Sequence, residues 1–207
     1  MITQEKINVN YSRWIERLKK YNCFSERMIE EMGESIKNAS FALQESSGCA
    51  YQGSMLDVVL NSLCTLAFHI NENAFGINDK GKMKHQYLKV NSNMLMRVLL
   101  LQHIAKAEMF VLQNNSWKAK NGYIYDFNDK LNAVLKCGER SIYLCMKYGI
   151  SLTEEEYEAM RILDKEDEKA NPYLSPLCQI VRMTNQLVST ELRQEYLNNR
   201  KQETIEE

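Results

Sequence analysis

The side chains best able to bind a metal ion or to act as a nucleophile are few in this chain of 207 residues. It contains three histidines, His69, His85 and His103, and no His-Asp dipeptide. The cysteines, none of which forms a Cys-x-x-Cys pair, are Cys23, Cys49, Cys64, Cys137, Cys145 and Cys178. A hydrolytic metal site needs several imidazoles and carboxylates that converge on the ion. The sequence therefore predicts no metal and no cofactor, and reduced thiols typical of a cytoplasmic protein.

His103 and Cys137 are the pair of residues most able to take part in metal binding or nucleophilic chemistry. If they are adjacent, they can contribute to a zinc site or form a thiolate–imidazolium pair, with Asn185 as the group that orients the imidazole. Two ligands do not make a zinc site, and a buried cysteine is usually inert. The interpretation that these residues favour is a packed core pair with no chemical role.

Basic side chains offer a second kind of chemistry, the binding of phosphate. Lys106, Arg140 and Arg182 are candidates for a phosphate pocket, because a helix N-terminus near residues 137–141 is suited to anions. The alternative is that each of them is a solvated or ion-paired surface residue. The loop over residues 76–89 is rich in lysine but poor in aromatic residues, so we expect it to be solvated rather than to bind nucleic acid. Its lysines and its tyrosine are Lys80, Lys82, Lys84, Lys89 and Tyr87.

Residues 114–127 differ from the rest of the chain and predict a small β-hairpin. The dipeptide Asn121–Gly122 is a turn signal, and aromatic residues flank it. Trp117, Tyr123 and Tyr125 either form an exposed tip that contacts a partner or pack back over the helices. The sequence leaves both arrangements open.

The remaining composition describes the scaffold that must position these side chains. Hydrophobic residues make up 44% and charged residues 26%, which is typical of a globular domain. Eight glycines and two prolines are few helix breakers, so an all-α bundle is favoured over a sandwich or a barrel. The net charge of −1 gives no general attraction to nucleic acid or to an anionic membrane. No apolar run is long enough to predict a membrane span, and residues 1–10 lack the apolar centre of a signal peptide.

Hydrophobic periodicity predicts seven helices in a single domain. They cover residues 4–21, 26–39, 55–70, 91–112, 128–148, 154–164 and 177–200. Ser25 is the expected N-cap of the second helix, and Thr153 with Glu156 forms a capping box before the sixth. Residues 94–101 are apolar nearly all round and are expected at the centre of the bundle. We divide the chain into N-terminal helices (1–48), a core (50–200) and a frayed tail (201–207).

Four segments resemble the HD-domain family of metal-dependent phosphohydrolases, in the compact form found in bacteriophages and mobile elements. AYQGSMLDVVLNSL (residues 50–63) is similar to the family's Leu-Leu-Glu-His segment, and LLLQHIAKAE (99–108) is similar to its His-Asp-Ile-Gly-Lys segment. YDFNDKLNAVLKCGERSIYLCMKY (125–148) with SLTEEEYEAMR (151–161) is similar to its Gly-His-Gly-Glu-Lys-Ser and Leu-Thr-Asp-Glu-Glu helices. SPLCQIVRMTNQLVS (175–189) is similar to its final helix. The resemblance implies an HD-like helical bundle with a small hairpin insertion.

The same resemblance implies that the metal site of the family is lost in this chain. The family's ligand positions correspond to Val58, Gln102, His103, Cys137, Leu163 and Asn185. The family's downstream lysine is kept as Lys106, and residues 139–141 keep the helix-start pattern. His69 does not replace the ligand lost at Val58, because the two positions lie about 16 Å apart along a helix axis.

We therefore expect a catalytically inactive HD-like protein encoded by a phage or a mobile element. Its expected role is that of a structural or protein-binding module, such as a virion component or an assembly factor, with a protein partner or a second copy of itself. Neither a membrane nor a nucleic acid is expected as a partner, and the expected location is the cytoplasm or a phage particle. The alternatives are a nucleotide- or phosphate-binding protein without hydrolysis, and an active phosphohydrolase with relocated ligands.

Overall fold

The computed structural model describes residues 2–73, 90–131, 135–164 and 174–206. The lysine-rich segment with His85, Tyr87 and its four lysines, for which the sequence predicts a solvated loop, lies outside the described residues. Within the described ranges the fold is mostly helical, with a small antiparallel hairpin, as predicted. No helix in these ranges is long and apolar enough to cross a membrane.

The elements follow one another mainly as helices of very different length. The helices are α1 (Gln4–Lys20), α2 (Glu26–Asn38), α3 (Ser54–Asp57), α4 (Cys64–Asn73), α5 (Ser92–Leu101), α6 (Lys106–Met109), α7 (Ser116–Lys120), α8 (Cys137–Lys147), α9 (Glu154–Arg161) and α10 (Pro176–Glu206). The hairpin consists of β1 (Phe110–Leu112) and β2 (Tyr125–Phe127). A π-helical segment, Val58–Leu63, joins α3 to α4, and short 3₁₀ turns lie at Glu45–Ser47 and Ile162–Asp164.

Local capping signals place the starts of three helices. Thr3 caps α1 and Ser25 caps α2, each by accepting a hydrogen bond from the backbone N–H three residues later (3.3 and 3.4 Å). Thr153 and Glu156 form the predicted capping box of α9. The first, second and sixth predicted helices are therefore confirmed close to their expected starts.

The centre of the hydrophobic core is α5, as its apolar sequence predicts. Its buried residues are Leu95, Met96, Val98, Leu99, Leu100 and Leu101, and they pack against α1, α4, α9 and α10. Trp14 of α1 donates its indole N–H to the Leu100 carbonyl (3.1 Å). Arg97 donates to the buried carboxylate of Glu156 (2.6 Å) and to backbone carbonyls nearby. The charge within this apolar helix is thus paired and hydrogen-bonded, as a buried charge must be.

The helix predicted over residues 91–112 is wrong in its second half. α5 ends at Leu101, a turn over residues 102–105 follows, and α6 is a short stretch before β1 begins. Ile104 N–H bonds to the Leu101 carbonyl (3.2 Å), and Lys106 N–H bonds to the His103 carbonyl (3.0 Å). These three-residue contacts are those of a turn. The aromatic and β-branched residues of β1 then pair with β2 instead of continuing a helix.

The hairpin is present, but its connection is not the one that the sequence predicts. Phe110 lies opposite Phe127 and Leu112 opposite Tyr125, so residues 113–124 connect the strands. Asn121–Gly122 follows the short helix α7 inside this connection, and Gly122 has a φ of 74°. Glycine is favoured at the end of a helix for the same conformational reason as in a tight turn. Asn121–Gly122 therefore marks a turn, as predicted, but this turn ends α7 and does not join the two strands of the hairpin.

Two further helix bounds differ from the prediction. The helix predicted over residues 128–148 begins at Cys137. Asn128 is held by the hairpin region instead, because its N–H donates to the Met109 carbonyl (2.8 Å) and its side chain donates to the Glu108 carbonyl (3.0 Å). The helix predicted to end at residue 200 continues to Glu206. The residues after position 200 contain no glycine or proline that would stop it.

The long helix α10 forms one wall of the bundle, where it packs against α4, α9 and the 3₁₀ turn Glu45–Ser47. Gly48 ends that turn with a φ of 73°, and a Cβ atom there would lie 2.3 Å from the Leu192 carbonyl oxygen of α10. Only glycine allows both this backbone conformation and this approach. The contact fixes the loop after α2 against α10, which brings the loop to the site described next.

Candidate functional site

A cavity of about 590 Å³ lies where α6, the start of α8 and α10 meet the loop after α2. The loop contributes Phe41, and the 3₁₀ turn after α9 contributes Ile162 and Leu163. Other described lining residues, which come from the turn before α6, from α6, α8 and α10, are His103, Lys106, Cys137, Arg182, Asn185, Gln186, Ser189 and Thr190. The volume is in the usual range for a small-molecule site.

Residues that the sequence predicts for a metal site and for a phosphate pocket converge on one cavity. They are His103, Lys106, Cys137, Leu163, Arg182 and Asn185. Gln102 is fully buried behind the cavity wall, where its side chain contacts Asn185. Three of the four segments that resemble the HD family therefore supply side chains to one place, although they are distant in the chain.

Besides Gln102, two residues of the predicted metal and phosphate sites do not line this cavity. Val58 lies in the π-helical segment and is buried in the hydrophobic core. Arg140 is buried and forms an ion pair with Glu108 (3.6 Å). Arg140 therefore does not share the cavity lining of Lys106 and Arg182, and it lines a neighbouring cavity instead.

The turn over residues 102–105, which carries His103, is tied to the first turns of α8 through Ser141. The Ser141 hydroxyl donates to the Gln102 carbonyl (2.9 Å) and accepts from the Ala105 N–H (3.2 Å). Both bonds are buried, so they are protected from competition by water. This contact holds His103 and the start of α8 at a fixed separation across the cavity wall.

The imidazole of His103 is oriented by Asn185 of α10. The two N–H groups of the Asn185 amide are directed at the Val181 carbonyl (2.8 Å) and at Gln102 Oε1 (3.3 Å). Its Oδ1 atom is therefore an acceptor, and it lies 3.0 Å from His103 Nε2. His103 must then carry its proton on Nε2, which leaves Nδ1 as a bare acceptor. The structure thus selects one tautomer of a neutral imidazole.

The surroundings of His103 keep it uncharged. Burial lowers the pKa of His103 well below its ordinary value of 6.5, and the nearby Lys106 ammonium lowers it further. The Phe41 ring contacts the imidazole edge-on, with centroids 4.8 Å apart. Among the described residues, the buried His103 Nδ1 and Gln102 Nε2 atoms have no hydrogen-bond partner. An acceptor buried in this way costs free energy that a donor on a ligand would recover.

Lys106 holds an ammonium group in the cavity wall next to Phe41. Its Nζ donates to the Phe41 carbonyl (2.6 Å) and lies 3.4 Å from the centroid of the same ring, a cation–π contact. Burial lowers the pKa of Lys106, whereas Cys137 and Cys49 favour its charged form. One of its three N–H donors is used by Phe41, so the group can still donate to a ligand.

The charge of the cavity lining is positive. Lys106 and Arg182 are its charged members, and no Asp or Glu occurs among the described lining residues. The ion pairs found within the described ranges include neither of these two cations. Amide and hydroxyl groups of α10 lie beside them. The arrangement suits an anion, and above all a phosphate, which arginine and lysine both bind.

The side chains at the predicted ligand positions do not fit the metal pair of the family that the sequence resembles. Val58 and Leu163 have no donor atoms, and Gln102 and Asn185 are neutral amides that are already hydrogen-bonded to each other. No group of three or more His, Cys, Asp or Glu side chains in the described part of the chain is able to hold a metal ion. A divalent ion that activates water is held by several such ligands.

An apolar cavity of about 390 Å³ adjoins the first one, and Cys137 lines both. Its apolar lining residues are Met109, Phe110, Phe127, Leu131 and Leu135. It opens beside the hairpin, whose outer side chains are exposed. The cationic cavity and the hairpin surface are therefore neighbours in the fold.

The aromatic residues of the predicted hairpin tip do not act together. Trp117 is exposed on α7, and Tyr123 is half-buried where its backbone pairs with Gln44. Tyr125 is buried in β2, so of the two arrangements that the sequence leaves open it does not take the exposed one. Phe127 lies two residues later on the same face of β2 and is 57% exposed, so only the start of this strand packs inward.

Sequence reasoning missed Phe41, which contacts both His103 and Lys106. The residue lies in an irregular loop, and its N–H donates to the buried Ser54 hydroxyl (2.8 Å). No helical or strand periodicity marks such a position. Only the long-range packing of the loop identifies it.

A comparison of the chain with protein-family models, with curated proteins and with solved structures finds no match. The function of the site must therefore be inferred from its own residues.

Proposed function

We propose that the protein is a catalytically inactive HD-like domain that binds a phosphorylated small molecule, such as a nucleotide, without a metal ion. The observation that carries the proposal is the cavity in which Lys106 and Arg182 lie beside Asn185, with no carboxylate among its described lining residues. A phosphate carries the opposite charge and offers acceptor oxygens to the Lys106 and Arg182 donors.

The binding mode follows from the donors in the wall. Arg182 presents a planar guanidinium, which can contact two oxygens of one phosphate, and Lys106 adds a point charge. Ser189 supplies a hydroxyl group to the same surface. His103 Nδ1 is an acceptor without a partner among the described residues, which suits an amino or hydroxyl group elsewhere on the ligand. A nucleotide combines all of these features.

The absence of hydrolysis is proposed from the chemistry of the donor set. Metal-dependent hydrolysis of a phosphate ester needs a cation that lowers the pKa of a bound water molecule. At two positions that the HD resemblance assigns to ligands, this chain has Val58 and Leu163. Its amide Asn185 orients a neutral imidazole and supplies no negative charge to bind a cation.

Isothermal titration calorimetry tests the binding proposal. The wild-type protein is titrated with inorganic phosphate and with nucleoside mono- and triphosphates, in the presence of a chelator. We expect saturable heat with at least one of these ligands. Arg182→Gln should weaken the binding of that ligand about tenfold, which corresponds to about 1.4 kcal/mol of binding free energy. Arg193→Gln, which removes an exposed charge further along α10, is the matched control and should bind like the wild type.

Three results would contradict parts of this proposal. The binding claim is wrong if no ligand of the panel produces heat. A stoichiometric metal ion in the purified protein, or a lower melting temperature after chelation, would contradict the metal-free claim. Release of phosphate in the presence of manganese, with loss of that activity in His103→Ala, would instead support an active phosphohydrolase with relocated ligands.

A second candidate function, that of a structural or protein-binding module, is favoured by the hairpin. Leu112, Trp117 and Phe127 are 73%, 67% and 57% exposed. Large apolar side chains that are exposed close together commonly mark an interaction surface. In this interpretation a protein partner or a second copy of the chain covers the hairpin, as in an assembly component.

The hairpin surface is tested by light scattering after size-exclusion chromatography and by purification of the native complex. A second copy predicts a dimer that dissociates in Leu112→Ser and Phe127→Ser. A protein partner predicts a co-purifying chain that both variants lose. The matched control is Val9→Ser, because Val9 is an exposed apolar residue on α1. A monomer that purifies alone would remove the support for this second candidate.

A further inference from the structure

Cys137 differs from the other cysteines in its surroundings. Its side chain is partly exposed and lines the cationic cavity. The buried cysteines are Cys23, Cys49, Cys64, Cys145 and Cys178. All six are in the thiol form, and each lies in a described part of the chain.

The buried cysteines are held in their unreactive protonated form. Burial raises the pKa of the Cys23, Cys64 and Cys145 thiols to about 12. It raises the pKa of Cys49 to about 11, and it also raises that of Cys178. The thiolate is the nucleophile in thiol chemistry, so these five side chains are poor reactants.

The Cys137 thiol donates a long hydrogen bond to the Gln102 carbonyl (4.0 Å), while the start of α8 and the nearby cations stabilise negative charge on its sulfur. Cys137 is the first residue of α8, an eleven-residue helix, where the backbone N–H groups and the helix dipole stabilise negative charge. The Lys106 ammonium is near enough for an electrostatic interaction with the Cys137 sulfur. Arg182 adds a second cation to the same cavity.

His103 supplies an independent indication that this cavity takes a ligand. It is 7% exposed, it lines the cavity, and its Nδ1 acceptor has no partner among the described residues. The hydrogen bond from Nε2 to Asn185 prevents the ring from presenting Nδ1–H instead. A ligand that enters the cavity with an N–H group would satisfy this acceptor.

We propose that Cys137 is a site of thiol–disulfide exchange with a small disulfide that carries carboxylate groups, such as an oxidised peptide thiol. The carboxylates would contact Lys106 and Arg182, and a peptide N–H would donate to His103 Nδ1. The inference rests on the proposed function in one respect, since the same cations attract the anionic groups of either ligand. The product is a mixed disulfide at Cys137 inside the cavity.

The reaction balances without a further reactant. The Cys137 thiol first loses its proton to solvent, and its thiolate then attacks one sulfur of the small disulfide. A bond forms between Cys137 Sγ and that sulfur, while the sulfur–sulfur bond of the small molecule breaks. The second half of the small disulfide leaves as a thiolate. Cys137 is oxidised, and the departing half is reduced.

Thiol titration of the native full-length protein tests the proposal. The probes are the dianionic disulfide dithiobis(nitrobenzoate) and the neutral disulfide dithiodipyridine. We expect one thiol to react in a fast phase in the native protein, and peptide mapping by mass spectrometry to place the adduct on Cys137. Oxidised glutathione, used as a peptide disulfide, should modify the same residue. Mapping the wild-type protein keeps the test independent of whether a variant folds.

Variants separate the reactive thiol from the cations that direct the reagent to it. Cys137→Ser should lose the fast phase, whereas Cys178→Ala should keep it. Arg182→Gln should lower the ratio of the anionic to the neutral reaction rate about tenfold, the lower end of electrostatic focusing in a cleft. Arg193→Gln should leave this ratio unchanged. Adducts that map to another cysteine, the absence of a fast phase, or an unaltered ratio in Arg182→Gln would each overturn the inference.

Calorimetry with phosphate ligands, combined with the thiol titration, distinguishes a failure of this inference from a failure of the proposed function. Phosphate-ligand binding together with no fast thiol in the wild type overturns the exchange site alone. A fast, charge-selective thiol together with no phosphate-ligand binding overturns the proposed function alone and supports the exchange site.

Discussion

The protonation of His103 should make the stability of this protein fall as the pH is lowered from 7.5 to 5.5. Burial lowers the pKa of His103 well below 6.5, and Lys106 adds to the effect. In the unfolded chain this imidazole titrates near its ordinary value, so below that pH the unfolded state binds a proton that the native state does not. Stability is therefore complete above pH 6.5 and is lost as the pH falls towards the lower folded value.

The size of the effect follows from the linkage of one proton to unfolding. With an unfolded pKa of 6.5, the change in proton binding between pH 7.5 and pH 5.5 reduces the free energy of unfolding by up to about 1.4 kcal/mol. His103→Gln removes the titrating group but keeps an N–H donor that can reach Asn185 Oδ1. This variant should lack that part of the pH dependence.

Urea unfolding followed by circular dichroism, at both pH values, measures the effect. The quantity to compare is the loss of unfolding free energy on acidification, in the wild type and in His103→Gln, because carboxylates contribute equally to both. His69→Gln, at an exposed position on α4, is the matched control and should behave like the wild type. Equal losses in the wild type and in His103→Gln would refute the burial of an uncharged imidazole.

Three other substitutions test the scaffold by urea unfolding. The Asp57 carboxylate accepts hydrogen bonds from Tyr51, Asn10 and Asn61. Asp57→Asn replaces this acceptor by a neutral amide and should destabilise the protein by about 1–3 kcal/mol. An unchanged free energy of unfolding would mean that these bonds do not form. Thr153→Ala removes the capping box of α9 and should cost about 1 kcal/mol, whereas Thr65→Ala, at an exposed site in α4, should cost less. Gly48→Ala should destabilise by more than about 1 kcal/mol, because the left-handed backbone and the close carbonyl of α10 both exclude a Cβ atom; tolerance of alanine would show that this approach is looser.

Local chemistry was sufficient to predict the elements whose signals lie within one turn. Ser25 and Thr153 cap the helices that they were predicted to cap, because a hydroxyl and the N–H three residues later are brought together by the helix itself. The central position of α5 also follows from its composition, since a helix that is apolar on all sides must be buried.

The candidate site was predictable only in part. His103, Lys106, Cys137, Leu163, Arg182 and Asn185 converge on one cavity, and the sequence had singled them out through residue chemistry and resemblance. Phe41 was not predicted, since it comes from an irregular loop. Arg140 does not line that cavity, and its ion pair with Glu108 joins residues far apart in the chain.

The amino-acid sequence by itself determined the helical class, the capped starts of helices and the supply of basic, amide and thiol side chains, since each of these depends on residues close in the chain. Tertiary structure alone decided where α5 ends, how β1 pairs with β2, and which ring nitrogen of His103 carries the proton. Those outcomes depend on partners far away in sequence: Phe127 opposite Phe110, Ser141 against the turn at Gln102, and Asn185 against the imidazole. Contacts of this kind form only after the chain has closed long loops, so no local pattern encodes them.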